Sequence, residues 1–147
     1  MDTGNLNQQE LLGILRESRS IAVVGLSDNP NRDSFKVASY LQQAGYRIIP
    51  VNPFVSKVLG EKAYPNLKTI PPEVPIDIVD IFRQREEVLP IVQEAVSLKK
   101  PPRLIWLQLG ADKQEAAEFS RNNGVALVMK ACLKVEYARL MRGEQLE

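Results

Sequence analysis

Short apolar segments alternate along the chain with segments whose apolar residues recur at helical spacing. We predict that five apolar segments are β-strands: Ser20–Leu26, Tyr46–Val51, Ile76–Phe82, Arg103–Leu109 and Val125–Met129. The first of these is apolar almost throughout, which is typical of a strand buried on both faces and flanked by neighbours. Strands that alternate with helices predict a parallel sheet joined by right-handed crossovers, with helices on both faces.

Apolar residues three and four positions apart predict a helix before the first strand and four helices further along. The predicted helices are Leu6–Ser18, Ser34–Ala44, Glu86–Leu98, Lys113–Asn122 and Leu133–Arg142. Asn7 is a plausible N-cap of the first helix, and Gly45 ends the second as a left-handed residue. Pro90 fits the third helix only if it lies in or near the first turn.

Proline and glycine separate the second strand from the third. Four prolines and a glycine between Phe54 and Pro75 predict a loop with one short helix near Asn66–Thr69. The whole pattern predicts a single α/β domain over residues 1–147, with a doubly wound, mainly parallel five-stranded sheet. Within it, residues 1–19 form an N-terminal helix packed on the sheet, and residues 143–147 form a frayed tail.

The loop between the first strand and the following helix carries the clearest chemical signal. The strand ends at Gly25, turn-forming residues follow to Asp33, and the loop and helix start supply Ser27, Asn29, Arg32, Ser34 and Lys36. A glycine turn before a helix N-terminus can bind an anion through unpaired backbone N–H groups. A tight turn alone does not need an arginine and two hydroxyls, so we predict a phosphate-binding loop.

Composition excludes several classes of function. A net charge of +1 disfavours nucleic acid or a membrane surface as the main partner. The chain lacks histidine, which removes Ser-His and Cys-His nucleophiles and makes a zinc site improbable. A single cysteine, a polar N-terminus and the lack of a membrane-length apolar run predict a cytoplasmic protein without an internal disulfide.

The motifs expected of an NAD site or an ATP site are missing. The dinucleotide fingerprint G-x-G-x-x-G does not occur, and Asn52-Pro53 stands where an acidic residue for the ribose diol is expected. No G-K-[ST] sequence of a Walker loop is present. An NAD(P)-dependent oxidoreductase is therefore the disfavoured alternative.

Ligands of doubly wound sheets bind outside the carboxyl ends of the strands. Gln108 and Gly110 follow the fourth strand and are candidate ligand contacts, whereas Trp106 within that strand is predicted to belong to the core. Asp77 and Asp80 lie three apart on one strand and therefore face opposite sides, so they do not form a catalytic pair. Asp77 is the predicted cap at the start of the strand.

Six segments in order resemble a known family. They read V-V-G-L-S-D-N-P-N-R-D-S, G-Y-R-I-I-P-V-N-P, L-G-E-K-A-Y-P-N-L, D-I-V-D-I-F-R, W-L-Q-L-G and M-K-A-C-L-K-V-E. From about Ser20 to Leu140 the chain resembles the small stand-alone CoA-binding proteins. Their Rossmann-like domain is similar to the CoA-binding domain of succinyl-CoA synthetase α subunits. The family commonly continues its last motif as C-x-K-x-E-H, whereas this chain has Tyr137 after Glu136.

The resemblance implies binding of coenzyme A or an acyl-CoA, with no self-contained catalysis. The ligand's phosphates would be lined by Gly25, Leu26, Ser27, Asn29, Pro30, Arg32, Ser34 and Lys36. The adenosine would border Asn52 and Pro53, and the far wall would comprise Phe82, Arg83 and Gln108 to Gly110. Catalysis in the synthetases needs a phosphohistidine and further domains, and this chain has no histidine, so we expect a binding module. It would be a monomer or homodimer, or the partner of a synthetase-type subunit.

For three of these residues, two interpretations remain open. Arg83 either contacts a phosphate or pairs with Glu86 or Glu87, and Lys36 either binds or is a solvated helix residue. Cys132 is either a small buried residue or lies close enough to the CoA thiol to form a mixed disulfide. A further alternative is an interaction protein whose pocket is vestigial.

Overall fold

The computed structural model describes residues 1–143, which contain seven strands and five α-helices, and five of these strands alternate with helices as the apolar pattern predicts. The strands are β1 (Ser20–Val24), β2 (Arg47–Val51), β3 (Lys57–Val58), β4 (Glu61–Lys62), β5 (Ile78–Ile81), β6 (Leu104–Leu107) and β7 (Ala126–Val128). The helices are α1 (Gln8–Glu17), α2 (Asp33–Gln43), α3 (Arg85–Val96), α4 (Gln114–Asn122) and α5 (Leu133–Met141). The predicted frayed tail lies outside the described residues, apart from Gly143.

Five strands form one parallel sheet in the order β2-β1-β5-β6-β7. Strand β1 is hydrogen-bonded to β2 on one side and to β5 on the other, which confirms the interior position expected of its apolar sequence. The order in which strands are added to the sheet reverses at β1. Strand β2 lies on one side of β1, and the later strands of this sheet, β5 to β7, lie on the other. The boundary between β1 and β5 is therefore the topological switch point of a Rossmann-like α/β sheet.

Two hydrophobic clusters cover the two faces of the sheet. One joins residues of α3 and α4 to Ala22, Val79 and Ile105. The other joins α1, α2 and α5 to residues of the same strands that point to the opposite face, with Trp106 completely buried. The Trp106 indole Nε1–H donates to the Ala131 carbonyl oxygen at 2.9 Å, which confirms that this residue belongs to the core.

Local signals at the element ends behave as predicted. Asn7 caps α1, since its Oδ1 accepts the Glu10 N–H at 2.8 Å and its own N–H donates to Glu10 Oε1 at 3.0 Å. Asp77 Oδ2 accepts the backbone N–H groups of Arg19 at 2.7 Å and Ser20 at 3.3 Å. The carboxylate of Asp77, which stands just before β5, therefore caps the start of the neighbouring strand β1.

Two local predictions are wrong. The segment after Asn52 is not only loop and a short helix: it also contains the antiparallel hairpin β3–β4, whose turn places Leu59 at φ +53° and Gly60 at φ +78°. Pro90 is the sixth residue of α3 and lies beyond the first turn. Because proline has no N–H, the helical hydrogen bond to the carbonyl of Glu86 cannot form there.

Candidate functional site

The carboxyl ends of β1, β2 and β5 meet at the switch point of the sheet. Gly25 follows β1 with φ +86°, and its N–H donates to the Val51 carbonyl oxygen at 2.8 Å. A Cβ atom built on Gly25 would lie only 2.2 Å from the Phe82 carbonyl oxygen. The glycine is therefore required by the close approach of the chain after β5, and the sequence pattern alone attributed it to the approach of a ligand.

Hydrogen bonds to side chains fix the loop after β1. The Ser27 N–H donates to the Oγ of Ser34 at 3.0 Å, and Ser34 is buried at the start of α2. The Asn29 N–H donates to Ser27 Oγ at 3.0 Å, and the Asn31 N–H donates to Asn29 Oδ1 at 2.9 Å. The loop is thus held by its own polar residues, and three of the predicted site residues have a structural partner.

Asn52 connects this loop to the end of β2. Its Nδ2 donates to the Leu26 carbonyl oxygen at 2.9 Å, and its Oδ1 accepts the Phe54 N–H at 2.9 Å. Both ends of the carboxamide are therefore engaged by backbone. Asn52 and Leu26, two predicted site residues far apart in sequence, are brought together here.

The N-terminus of α2 faces the same edge of the sheet. Arg32 is its cap residue, and the side chain of Arg32, which carries only donors, makes no capping hydrogen bond to the first turn. The backbone N–H groups of the first helical turn have no helical partner, so they are available to an anion. Arg32 and Lys36 are exposed and form no ion pair within residues 1–143, although the carboxylate of Asp33 adds a negative charge beside them.

A cavity of about 410 Å³ lies next to Gly25, between the ends of β1 and β2 and helix α3. Three predicted site residues, Gly25, Pro53 and Arg83, line it. Its lining also contains residues that were not predicted to belong to the ligand site, namely Pro65, Asn66, Glu86, Glu87, Pro90, Ile91 and Glu94. The three glutamates make this wall acidic, and the exposed cations Arg32 and Lys36 lie outside the lining of the cavity.

Arg83 takes the pairing alternative in this structure. Its Nη2 lies 2.7 Å from Glu87 Oε1, one helical turn further along α3. The side-chain hydrogen bond from Arg83 lowers the pKa of Glu87 below its usual range, although desolvation acts in the opposite direction. Glu87 is therefore ionised near neutral pH and neutralises this arginine.

A second cavity, of about 440 Å³, lies at the same edge beside the ends of β6 and β7. Cys132 lines it together with Leu109 and Lys130, and the cysteine is partly buried at the N-cap of α5. Lys130 adopts a left-handed conformation with φ +64°, which turns the chain sharply between β7 and Cys132.

The carboxamide of Gln108 forms a hydrogen bond within the protein. Gln108 is buried, and its Oε1 accepts the Leu133 N–H at the start of α5 at 2.9 Å. Gly110 is exposed in the turn after β6, with φ +91°. Gln108 therefore joins the end of β6 to α5, a contact that the sequence pattern did not suggest.

Two large apolar residues are exposed at this edge: Phe54 was not among the predicted site residues, whereas Leu109 lies within the predicted far wall of Gln108 to Gly110. Phe54 is 86% exposed directly after Pro53, and Leu109 is 66% exposed between Gln108 and Gly110. The sequence feature that indicates their exposure is the position of each residue just past a strand, where a large apolar side chain has no core to enter. Both lie at the edge that holds the two cavities, which gives this edge apolar contact surface as well as positive charge.

Asp80 contacts no polar partner. It lies in β5 between Val23 of β1 and Trp106 of β6, is fully buried, and neither carboxyl oxygen has a hydrogen-bond partner. Burial raises the pKa of this carboxyl well above its ordinary value. Burial therefore favours the neutral form of this carboxyl, and Asp80 lines neither of the two cavities at the carboxyl edge.

Comparison with known proteins supplies the family. The model of a family described as "CoA binding domain" matches residues 19–138. The uncharacterized protein YneT of Bacillus subtilis is 41% identical over 134 residues, which cover 91% of this chain and 96% of YneT. The crystal structure of Prb, a PH1109 protein redesigned for binding, superposes with a TM-score of 0.86 at 35% identity and covers 97% of both chains.

A shorter match reaches a ligase that is much longer than this chain. A region of 65 residues is 37% identical to the ADP-forming acetate–CoA ligase II of Archaeoglobus fulgidus, covering 43% of this chain but only 10% of the ligase. No helix within residues 1–143 is long and apolar enough to cross a bilayer. The family model spans most of the chain, and the fold and the segments around the switch point agree with it: this protein belongs to the CoA-binding domain family.

Proposed function

We propose that this chain binds coenzyme A or an acyl-CoA across the carboxyl edge of its parallel sheet. The observation that carries the proposal is the loop after β1, whose hydrogen bonds to Ser34 and Asn52 hold it beside the uncapped N-terminus of α2. Arg32 and Lys36 are exposed there without an ionic partner among residues 1–143. Backbone N–H groups and two cations suit the charge of a pyrophosphate and a 3′-phosphate.

The rest of the ligand would follow the same edge. In this proposal the adenosine lies near Asn52 and Pro53, where exposed Phe54 offers an aromatic face for stacking. The pantetheine would run past Phe82 toward the cavity that contains Cys132. Gln108 would act by holding the start of α5, because its carboxamide oxygen is engaged by the Leu133 N–H.

We propose a binding module without catalysis of its own, built as a single domain. The chain has no histidine, so the phosphohistidine chemistry of ADP-forming and succinyl-CoA ligases has no group to act on here. We expect a monomer or homodimer in the cytoplasm, and the alternative is assembly with a separate synthetase-type subunit. Copurification of such a subunit at fixed stoichiometry would favour the alternative.

A thermal-shift series tests the proposal. CoA, acetyl-CoA, dephospho-CoA, NAD and NADP are compared at matched concentrations. A ligand present at about 100 times its Kd stabilises the folded state by about 2.7 kcal/mol, which is readily measured. We expect a large shift with CoA and acetyl-CoA, a smaller shift with dephospho-CoA and none with NAD or NADP.

A matched pair of variants locates the phosphates. Arg32→Ala should abolish most of the CoA shift, whereas Arg16→Ala removes the same charge from exposed α1 and should leave the shift unchanged. A shift only with NAD or NADP would make the protein a dinucleotide-binding domain of the oxidoreductase type. Equal CoA shifts in Arg32→Ala and the wild-type protein would remove the phosphate assignment of this loop.

A further inference from the structure

A groove of about 650 Å³ lies at the amino edge of the sheet, opposite the carboxyl edge discussed above. One wall is the segment from Leu67 to Ile76, and the other runs from Ser97 to Arg103. Asp77, just before β5, and Arg103, just before β6, mark the end of the sheet on which the groove opens. It therefore shares no residue with the proposed CoA site.

The groove is apolar and preformed. Leu67 and Ile70 are buried in the core at its base, and Val74, Ile76 and Leu98 are packed against the same core cluster. Four prolines restrict the backbone of the two walls, namely Pro71, Pro72, Pro75 and Pro101. The wall is also anchored, since Ser20 Oγ donates to the Pro75 carbonyl oxygen at 2.7 Å and the Val74 N–H donates to the Pro71 carbonyl oxygen at 2.9 Å. A ligand would meet little cost of ordering here.

Four cations surround this apolar surface. Lys68, Lys99, Lys100 and Arg103 are all exposed and line the groove. Arg103 Nη1 pairs with Glu17 Oε2 at 3.1 Å, but the three lysines have no ion pair within the described residues. Among the described residues that line the groove, Asp77 carries the one carboxylate, and this group already accepts the backbone N–H groups of Arg19 and Ser20.

We propose that this groove binds a small organic anion, a carboxylate that carries an apolar tail. The apolar base takes the tail, and the unpaired lysines at the rim hold the carboxylate. The volume lies within the roughly 300–1,000 Å³ of ligand-binding cavities, and concave apolar sites with a few polar groups are their usual form. A fully polar anion would leave the base unfilled, and a cationic amphiphile would meet three unpaired lysines.

Titration with octanoate tests the site, with octylammonium as the probe of equal tail and opposite charge. Calorimetry should give one octanoate per chain, weakening as salt rises because exposed charges are screened. Octylammonium should bind at least tenfold more weakly. In heteronuclear NMR spectra, octanoate should shift the amide signals of Lys68, Ile76 and Leu98 and leave those of Ser27 and Cys132 in place.

A charge-reversal pair provides the control. Lys100→Glu should weaken octanoate binding about fivefold or more, whereas Arg16→Glu makes the same change of charge on α1 and should have no effect. Both variants should keep the wild-type CoA shift, so the result is independent of the CoA proposal. Equal binding of octylammonium, shifts confined to the carboxyl edge, or no octanoate binding would overturn the assignment. A dimer that Lys100→Glu dissociates would instead assign the groove to a second copy of the chain.

Discussion

The Nδ2 of Asn52 donates to the Leu26 carbonyl oxygen at 2.9 Å and thereby joins the turn after β2 to the loop after β1. The Oδ1 of the same carboxamide accepts the Phe54 N–H at 2.9 Å. One side chain therefore fixes two neighbouring strand ends relative to each other. An asparagine at the position where dinucleotide-binding sheets carry an acid has a structural role in this protein, whatever contact it makes with a ligand.

Asn52→Ala should weaken CoA binding about five- to tenfold, because the loop that carries the phosphate contacts loses its hydrogen bond to the end of β2. Asn123→Ala is the matched control. Its Nδ2 donates to the Phe119 carbonyl oxygen at 2.8 Å, a bond of the same kind at the end of α4. Calorimetric Kd values for CoA that rise together in both variants would show a general loss of stability and would contradict a local role for Asn52.

Gly25→Ala should lower the free energy of unfolding by about 2 kcal/mol or more. The added Cβ would require an unfavourable positive φ and would also lie 2.2 Å from the Phe82 carbonyl oxygen. Gly60→Ala measures the positive-φ effect alone, since Gly60 has φ +78° and no atom of the described residues lies within 4 Å of its would-be Cβ. Urea unfolding should show the larger loss at Gly25, and equal losses would mean that the close approach of Phe82 costs nothing.

Glu87→Gln should strengthen CoA binding about two- to fivefold at low salt, because it removes a carboxylate from the cavity and releases Arg83. The double variant Arg83→Ala/Glu87→Gln should lose this gain. Glu118→Gln removes the same charge from the exposed face of α4 and should leave the Kd unchanged. An unchanged Kd in Glu87→Gln would show that this cavity holds no anionic part of the ligand.

The pH dependence of this pair follows from its sign. Arg83 lowers the pKa of Glu87, so the stabilising contact is present above the carboxyl's unfolded pKa and is lost only as pH falls through the lowered folded pKa. A titration from pH 7 to pH 5 should therefore leave the pair intact. The effect of the Arg83–Glu87 pair on CoA binding is therefore tested by mutation and not by mild acidification.

Asp80→Asn should stabilise the protein at neutral and alkaline pH. Burial raises the pKa of Asp80 in the folded state above its unfolded pKa, which is about 3.9. The neutral carboxyl therefore contributes fully to the free energy of unfolding below the unfolded pKa, and this contribution is lost as pH rises toward the folded pKa. Within that window the wild-type free energy of unfolding should fall by up to about 1.4 kcal/mol per pH unit relative to Asp80→Asn. Asp28→Asn, at an exposed position, is the control, and the same slope in wild type and Asp80→Asn would contradict the burial of an unpartnered acid.

Cys132 should form a mixed disulfide with CoA faster than with glutathione. Its Sγ thiolate attacks one sulfur of CoA disulfide, the S–S bond breaks, and one CoA thiolate leaves while the other remains attached. Intact mass should show one CoA per chain and no adduct in Cys132→Ser, since the chain has no other cysteine. Arg32→Ala should slow the reaction with CoA disulfide and not with glutathione disulfide. Equal rates for both disulfides would place the cysteine outside the bound ligand's reach.

The sequence by itself determined the elements and their alternation. Local pattern contains the apolar run of β1 and the N-cap Asn7, whose partner Glu10 lies three residues further along the chain. These features depend on neighbours in the chain, so the periodicity of side chains and the chemistry of caps predict them. The family resemblance implied the ligand class, and the family match confirmed the family.

Tertiary structure alone decided how the site residues are used. Gln108 reaches Leu133, Asn52 reaches Leu26, and Phe82 closes over Gly25, each across strands that are adjacent only after the sheet has formed. The environment of Asp80 was also decided by the tertiary structure. Its position in the strand predicted which face of the sheet it lies on, but not that its carboxyl oxygens have no hydrogen-bond partner among the described residues. Hydrogen-bond partners are set by distances between segments far apart in sequence, and no periodicity along the chain contains those distances.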